Sequence, residues 1–283
     1  MNSKCIEYQM FTKCNLKCPY CYNYFDQTVG ALQTHITNLE KLSPLADRKT
    51  CFVINGGEPF LLKGLAALVN SVKVDTNIIT YTNGTMPKKI YEKFIKEVNK
   101  DKLFLTISIH YAELLRTNNV NDSFKENVKL LIENIPNLKV NIVFTEDFLS
   151  QQFTEDLTEL LKEFKGYGLK YINVLLQDEL KQAPVKAIKL VSTQHFKQFF
   201  KELEMFQYKH CMWNNRDTNV SCLQMWLRKE VMDPGKGVKT LSILKHKDLF
   251  EVEHNFDITS EHLVNNTTTN LDGLVADVKP LLG

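Results

Sequence analysis

Cys14, Cys18 and Cys21 fall within one eight-residue stretch, CNLKCPYC, with three and then two residues between them. A loop of that length folds back on itself, so the three thiols can face one small metal centre. Iron–sulfur clusters and structural zinc ordinarily take four protein ligands, and disulfides take thiols in pairs. The next cysteine, Cys51, lies 30 residues beyond Cys21. Two readings follow from the thiols alone. One is a Cys₃His zinc site with His35 as fourth ligand, holding together a binding module without turnover. The other is an iron–sulfur centre, for which no fourth cysteine lies nearby.

Further polar residues recur at strand ends. VINGGEPFL places Gly56, Gly57, Glu58 and Pro59 directly after an apolar run. The glycines let a backbone approach a ligand closely or adopt positive φ, and Glu58 offers a carboxylate. TNGT (82–85) follows another apolar run, Ser108-Ile109-His110 another, and Gln177 a fourth.

The elements that must position these residues alternate. β-branched and aromatic runs predict strands at 5–11, 51–55, 77–82, 103–111, 138–145 and 171–177. Apolar residues at three- and four-residue spacing predict helices at 29–42, 61–72, 88–98, 124–135 and 154–164. The strands lack a clean polar alternation, as expected of parallel strands covered on both faces. Six βα units with right-handed crossovers give an α/β fold, a partial (β/α)6 TIM-like barrel, whose chemistry sits at the C-terminal ends of the strands. This barrel is expected over residues 1–185. Residues 186–283 form a C-terminal extension covering it, beginning with a helix at 193–208 and carrying a strand in TLSILK.

Composition narrows the function classes. A formal net charge of +2 argues against a dedicated nucleic-acid surface. No stretch nears the roughly 18 apolar residues of a membrane span, and the segment MNSKCIEYQMF has no signal-peptide pattern. The expected location is the cytoplasm, where clustered thiols mean metal or catalysis before disulfides.

TKCNLKCPYCY, followed by GGEP, TNGT and a Ser-Ile-His strand, resembles the radical S-adenosylmethionine (SAM) superfamily over roughly residues 5–180. In motif style it is most similar to the peptide-modifying, sulfatase-maturase-like branch, with the viperin-like branch as the alternative. The resemblance implies that Cys14, Cys18 and Cys21 hold a [4Fe–4S] cluster whose open iron is chelated by SAM. It implies SAM contacts from Tyr20, Gly56, Gly57, Glu58, Asn83, Ser108 and Gln177. It also implies an oxygen-sensitive enzyme fed by a reductant such as flavodoxin or ferredoxin, abstracting a hydrogen atom from a peptide side chain or, alternatively, a nucleotide or other small molecule. His110 departs from the pattern, since many relatives carry Asp there. Relatives with auxiliary clusters carry cysteine-rich extensions. Here Cys211 and Cys222, with His210, are too few for the usual set, so a structural extension is expected.

Overall fold

A computed structural model describes residues 4–21, 29–43, 50–73, 76–176 and 194–209, together with short strands at 217–218, 241–242, 244–245 and 255–256. Gln177, His210, Cys211, Cys222, Trp213 and Trp226 lie outside the described residues.

Six strands, β1 (Lys4–Gln9), β2 (Thr50–Asn55), β3 (Asn77–Thr82), β4 (Leu103–Ile109), β5 (Leu138–Phe144) and β6 (Tyr171–Leu176), run parallel in sequence order. Between them lie α1 (Leu32–Leu42), α2 (Leu65–Ser71), α3 (Lys88–Glu97), α4 (Tyr111–Arg116), α5 (Asp122–Asn134) and α6 (Gln151–Gly166). The architecture is the open, partial (β/α)6 barrel that the strand–helix alternation predicts.

Two departures concern helices. The sequence pattern gave no sign of α4, whose six residues are too short to show a period. The helix expected at 193–208 stops early: α7 spans Gln194–Glu202, a 3₁₀ turn follows at Leu203–Met205, and Gln207–Lys209 becomes β7, parallel to β6. Apolar residues continue at helical spacing through 203–206. The backbone groups at 207–208 instead pair with Tyr171 and Ile172 of β6. Further on, β8 (Asp217–Thr218) pairs antiparallel with β7, β9 (Leu241–Ser242) pairs with β11 (Asn255–Phe256), and β10 (Leu244–Lys245), within the predicted TLSILK strand, runs parallel to β1.

The strands present two different faces. Ile6, Tyr8, Phe52, Ile54, Leu105, Ile107, Val140, Ile142, Ile172 and Val174 share one core with helix residues such as Leu39, Leu68, Phe94, Val128, Leu131, Leu161 and Phe164. On the other face, inside the arc, Val53, Ile79 and Phe104 cluster, and Val143 and Leu175 pair at the far ends of β5 and β6. Above the Val53 cluster the register sets Tyr81, Thr106, Lys139 and Tyr171 side by side, and then Ser108, Asn141 and Asn173. Lys139, Asn141 and Asn173 are nevertheless buried. The strands are covered on both faces, as expected, but the inner face carries a polar band across its middle. Its alternation is visible in LKVNIVF once the faces are known.

Candidate active site

The loop leaving β1 carries the three thiols, and two neighbouring loops are built against it. Gly57 N–H donates to Phe11 O at 2.9 Å, and Glu58 N–H to Lys13 O at 2.9 Å. A Cβ on Gly57 would stand 2.2 Å from Lys13 O and 2.3 Å from Thr12 O, and one on Gly56 3.2 Å from Phe11 O. Neither glycine has positive φ. Their smallness is required because the cysteine loop itself occupies the space. Leu16, 3% exposed, anchors that loop in the core, and Cys21 N–H donates to Cys18 O at 3.0 Å, closing the turn around the last two thiols.

Glu58 ties the second loop to the third. Its Oε1 accepts from Phe60 N–H (3.2 Å) and the Thr82 hydroxyl (3.0 Å), and its Oε2 from Asn83 N–H (2.8 Å). The carboxyl is 1% exposed, and burial lifts its pKa from 4.5 to about 7 against the opposing pull of these donors. Below the loop, Phe60 packs on Tyr91 and Phe94 with ring centroids 4.9 and 4.7 Å apart. Such aromatic pairs add about 0.5–1.5 kcal/mol each.

This burial has a pH consequence. Between the unfolded value of 4.5 and about 7 the folded Glu58 binds more protons than the unfolded chain, so its contribution is full below 4.5 and is lost as pH rises through 7. Glu58→Gln is therefore expected to remove a pH-dependent decline on the order of 3 kcal/mol. Urea midpoints of the apoprotein at pH 4.5 and 8 measure this, and parallel pH profiles for variant and wild type would contradict it.

Asn83 closes the network from β3. Its Nδ2 donates to Asn15 Oδ1 at 2.8 Å and lies 3.7 Å from Cys14 Sγ, while its Oδ1 accepts from Thr85 N–H and the Thr85 hydroxyl. Asn15 Nδ2 donates to Thr85 Oγ1 at 2.7 Å. Asn127 Nδ2 holds the turn from α5 through Gly84 O and Met86 O. CNLKC, GGEP and TNGT thus form one hydrogen-bonded body.

From β4, His110 meets the loop on its other side. Its Nδ1 is 3.1 Å from Tyr20 Oη, and the two rings are 5.7 Å apart. Burial holds the imidazole down to about 4, so it is neutral at pH 7. The departure from Asp is therefore a neutral partner for Tyr20. Ser108 lies half-buried on the inner face, beside Asn141 in register.

His35 is excluded as a zinc ligand. It is fully buried, with Nδ1 2.8 Å from Tyr8 Oη and Nε2 2.8 Å from Val29 O. The carbonyl requires Nε2 to carry the proton, so Nδ1 accepts from Tyr8, which in turn accepts from Asn38. Both ring nitrogens are committed, Nε2 to Val29 O and Nδ1 to the Tyr8 hydroxyl.

The thiols suit a cluster. Burial raises Cys14 to about 11 and Cys18 to about 12, with nearby Glu58 and Glu113 adding to the rise. Thiolates here need positive charge from a metal centre. Among the described residues no three His, Cys, Asp or Glu side chains stand gathered as a ready-made single-ion site.

Several residues of the site were not legible beforehand. Asn15 and Thr85 brace the thiol loop, Glu113 and Arg116 lie behind it, and Asn141 faces the inner surface with its Oδ1 buried and unpartnered. Only Asn141 had a sequence signal, the polar alternation of β5.

The Radical SAM superfamily pattern matches residues 8–148, the span holding every motif of the described rim. No curated protein matches the sequence. Among solved structures, Streptococcus suis SuiB superposes with a TM-score of 0.61 at 14% identity, over 98% of this chain and 65% of that one. SuiB bound to precursor peptide SuiA gives 0.51 at 15%, over 75% and 50%. anSMEcpe with bound AdoMet and Cp18Cys peptide gives 0.43 at 18%, over 61% and 50%. The chain spans 41–65% of the SuiB chains it matches, and at these identities the likeness is one of fold. Members of the family bind a [4Fe–4S] cluster and SAM and need a reductant. With the three-cysteine loop locked to GGEP and TNGT at the rim of a partial barrel, and the family pattern across that rim, the chain belongs to the radical SAM superfamily.

Proposed function

We propose that the protein abstracts a hydrogen atom from a peptide or protein side chain, using a radical made by one-electron reductive cleavage of SAM. The observation that carries this reading is the docking of the GGEP backbone onto the loop that bears Cys14, Cys18 and Cys21. Cys14, Cys18 and Cys21 hold the cluster and leave one iron free. When bound, cluster and SAM together supply methionine and a 5′-deoxyadenosyl radical, the electron coming from a flavodoxin or ferredoxin. Tyr20, Gly56, Gly57, Ser108 and Gln177 are the proposed SAM contacts. Glu58 and Asn83 join them mainly by shaping the rim, since their side chains are engaged within it. The extension at 186–283 covers the barrel and limits water access to the radical. A peptide substrate is favoured by the motif style and by the SuiB complex with its precursor peptide.

A second reading, the same chemistry on a nucleotide or other small molecule, has one observation behind it. The middle band of the inner face is polar yet enclosed, with Asn141 Oδ1 buried and lacking a donor, which suits a small polar substrate.

The cofactor part is tested by electron paramagnetic resonance of the reconstituted, dithionite-reduced protein. Adding SAM is expected to change the g-values of the reduced cluster, because SAM takes the open iron. Identical spectra with and without SAM, or a colourless protein holding zinc, would overturn the proposal.

A further inference from the structure

Behind the cysteine loop sits a buried carboxylate that no motif of the sequence marks. Glu113, on α4, is 1% exposed. Its Oε1 lies 3.4 Å from the backbone N of Lys17, the residue immediately before Cys18. Arg116, one turn on, grips it with two charge-assisted bonds, Nε to Oε2 at 2.8 Å and an Nη to Oε1 at 2.6 Å. The pair is asymmetric in solvent: the Arg116 side chain is 59% exposed and that of Glu113 only 1%. Water screens an exposed charge far more than a buried one. The anion therefore dominates the field reaching the loop.

We propose that Glu113, oriented by Arg116 and set against the backbone at Lys17, is a positioning residue whose negative charge lowers the reduction potential of the cluster on Cys18. Adding an electron next to a buried anion is unfavourable, and local net charge is one of the terms that set iron–sulfur potentials. A low potential is what the electron-donating step to SAM requires. The inference rests on the cluster-binding reading above. It assigns Glu113 no contact with SAM or substrate.

The test is a redox titration of the reconstituted protein without SAM, followed by electron paramagnetic resonance, with iron content and melting temperature measured alongside. Glu113→Gln keeps an oxygen for Lys17 N–H and removes the charge. It is expected to retain wild-type iron and to shift the midpoint potential upward. An unchanged or lower potential overturns the proposal. If Glu113→Gln does not fold, the double variant Glu113→Gln/Arg116→Gln leaves no stray cation and is expected to show the same upward shift. A double variant without that shift, or one that folds without holding iron, likewise overturns it, because the charge is assigned to potential and not to assembly. The two levels of failure separate cleanly. A wild-type protein that takes up no cluster overturns the cluster reading and this inference together, whereas a wild-type cluster that responds to SAM, with potentials equal in wild type and variants, overturns this inference alone.

Discussion

Gly57→Ala is expected to strip the protein of its cluster while leaving the barrel folded. The added Cβ would meet Lys13 O at 2.2 Å, Thr12 O at 2.3 Å and Lys13 C at 2.4 Å. All three are backbone atoms, so no flexible side-chain end can yield. Relief requires the loops of β1 and β2 to part. That breaks the Gly57–Phe11 and Glu58–Lys13 hydrogen bonds, each worth about 1 kcal/mol. Overpacking adds a further 1–3 kcal/mol, for a total on the order of 3–5 kcal/mol. The displaced backbone leads directly into Cys14, so the thiols lose their common geometry. Iron content after reconstitution is expected to fall at least tenfold, with a lower melting temperature. Gly56→Ala makes only a tight contact, 3.2 Å to Phe11 O, and is expected to be milder in both measurements. A Gly57→Ala protein with wild-type iron would show that the two loops can separate without consequence for the site.

The second large effect is expected from Cys18→Ala. Removing one thiol of a three-thiol site leaves too few ligands for a stable cluster. Cys18 is 7% exposed and belongs to the core, so truncation also costs some packing. Truncation of larger buried side chains costs 2–5 kcal/mol, and loss of a single sulfur costs less. The variant is expected to fold, to stay colourless on reconstitution and to produce no 5′-deoxyadenosine.

These predictions rest on features that the sequence disclosed unevenly. The six strands were legible because each is a short β-branched or aromatic run, as in NIITYT and LFLTISI, closed by polar or glycine residues. The thiol spacing and GGEP marked the rim for the same reason: their chemistry is local to a few positions. What was not legible depends on register between distant segments. Gly57 reads as a residue awaiting a close approach, yet what approaches is the backbone of Thr12 and Lys13. Glu58 reads as a free carboxylate, yet β3 delivers the Thr82 hydroxyl and Asn83 N–H to it. His35 had ligand chemistry in the sequence, and its commitment to Tyr8 and Val29 appears only once α1 packs on β1. Glu113 gave no signal, since its meaning lies in a loop 96 positions away in the chain.

Among the described residues no helix is long and apolar enough to cross a membrane. The central claim is that Cys14, Cys18 and Cys21 hold a cluster that cleaves SAM. It is tested most directly by incubating the reconstituted wild type and Cys18→Ala with SAM and dithionite and quantifying 5′-deoxyadenosine by mass spectrometry. The account predicts its formation by the wild type, slow but above background even without substrate, and none by the variant. Equal amounts from both proteins, or none from a wild type that carries its full complement of iron, would contradict it.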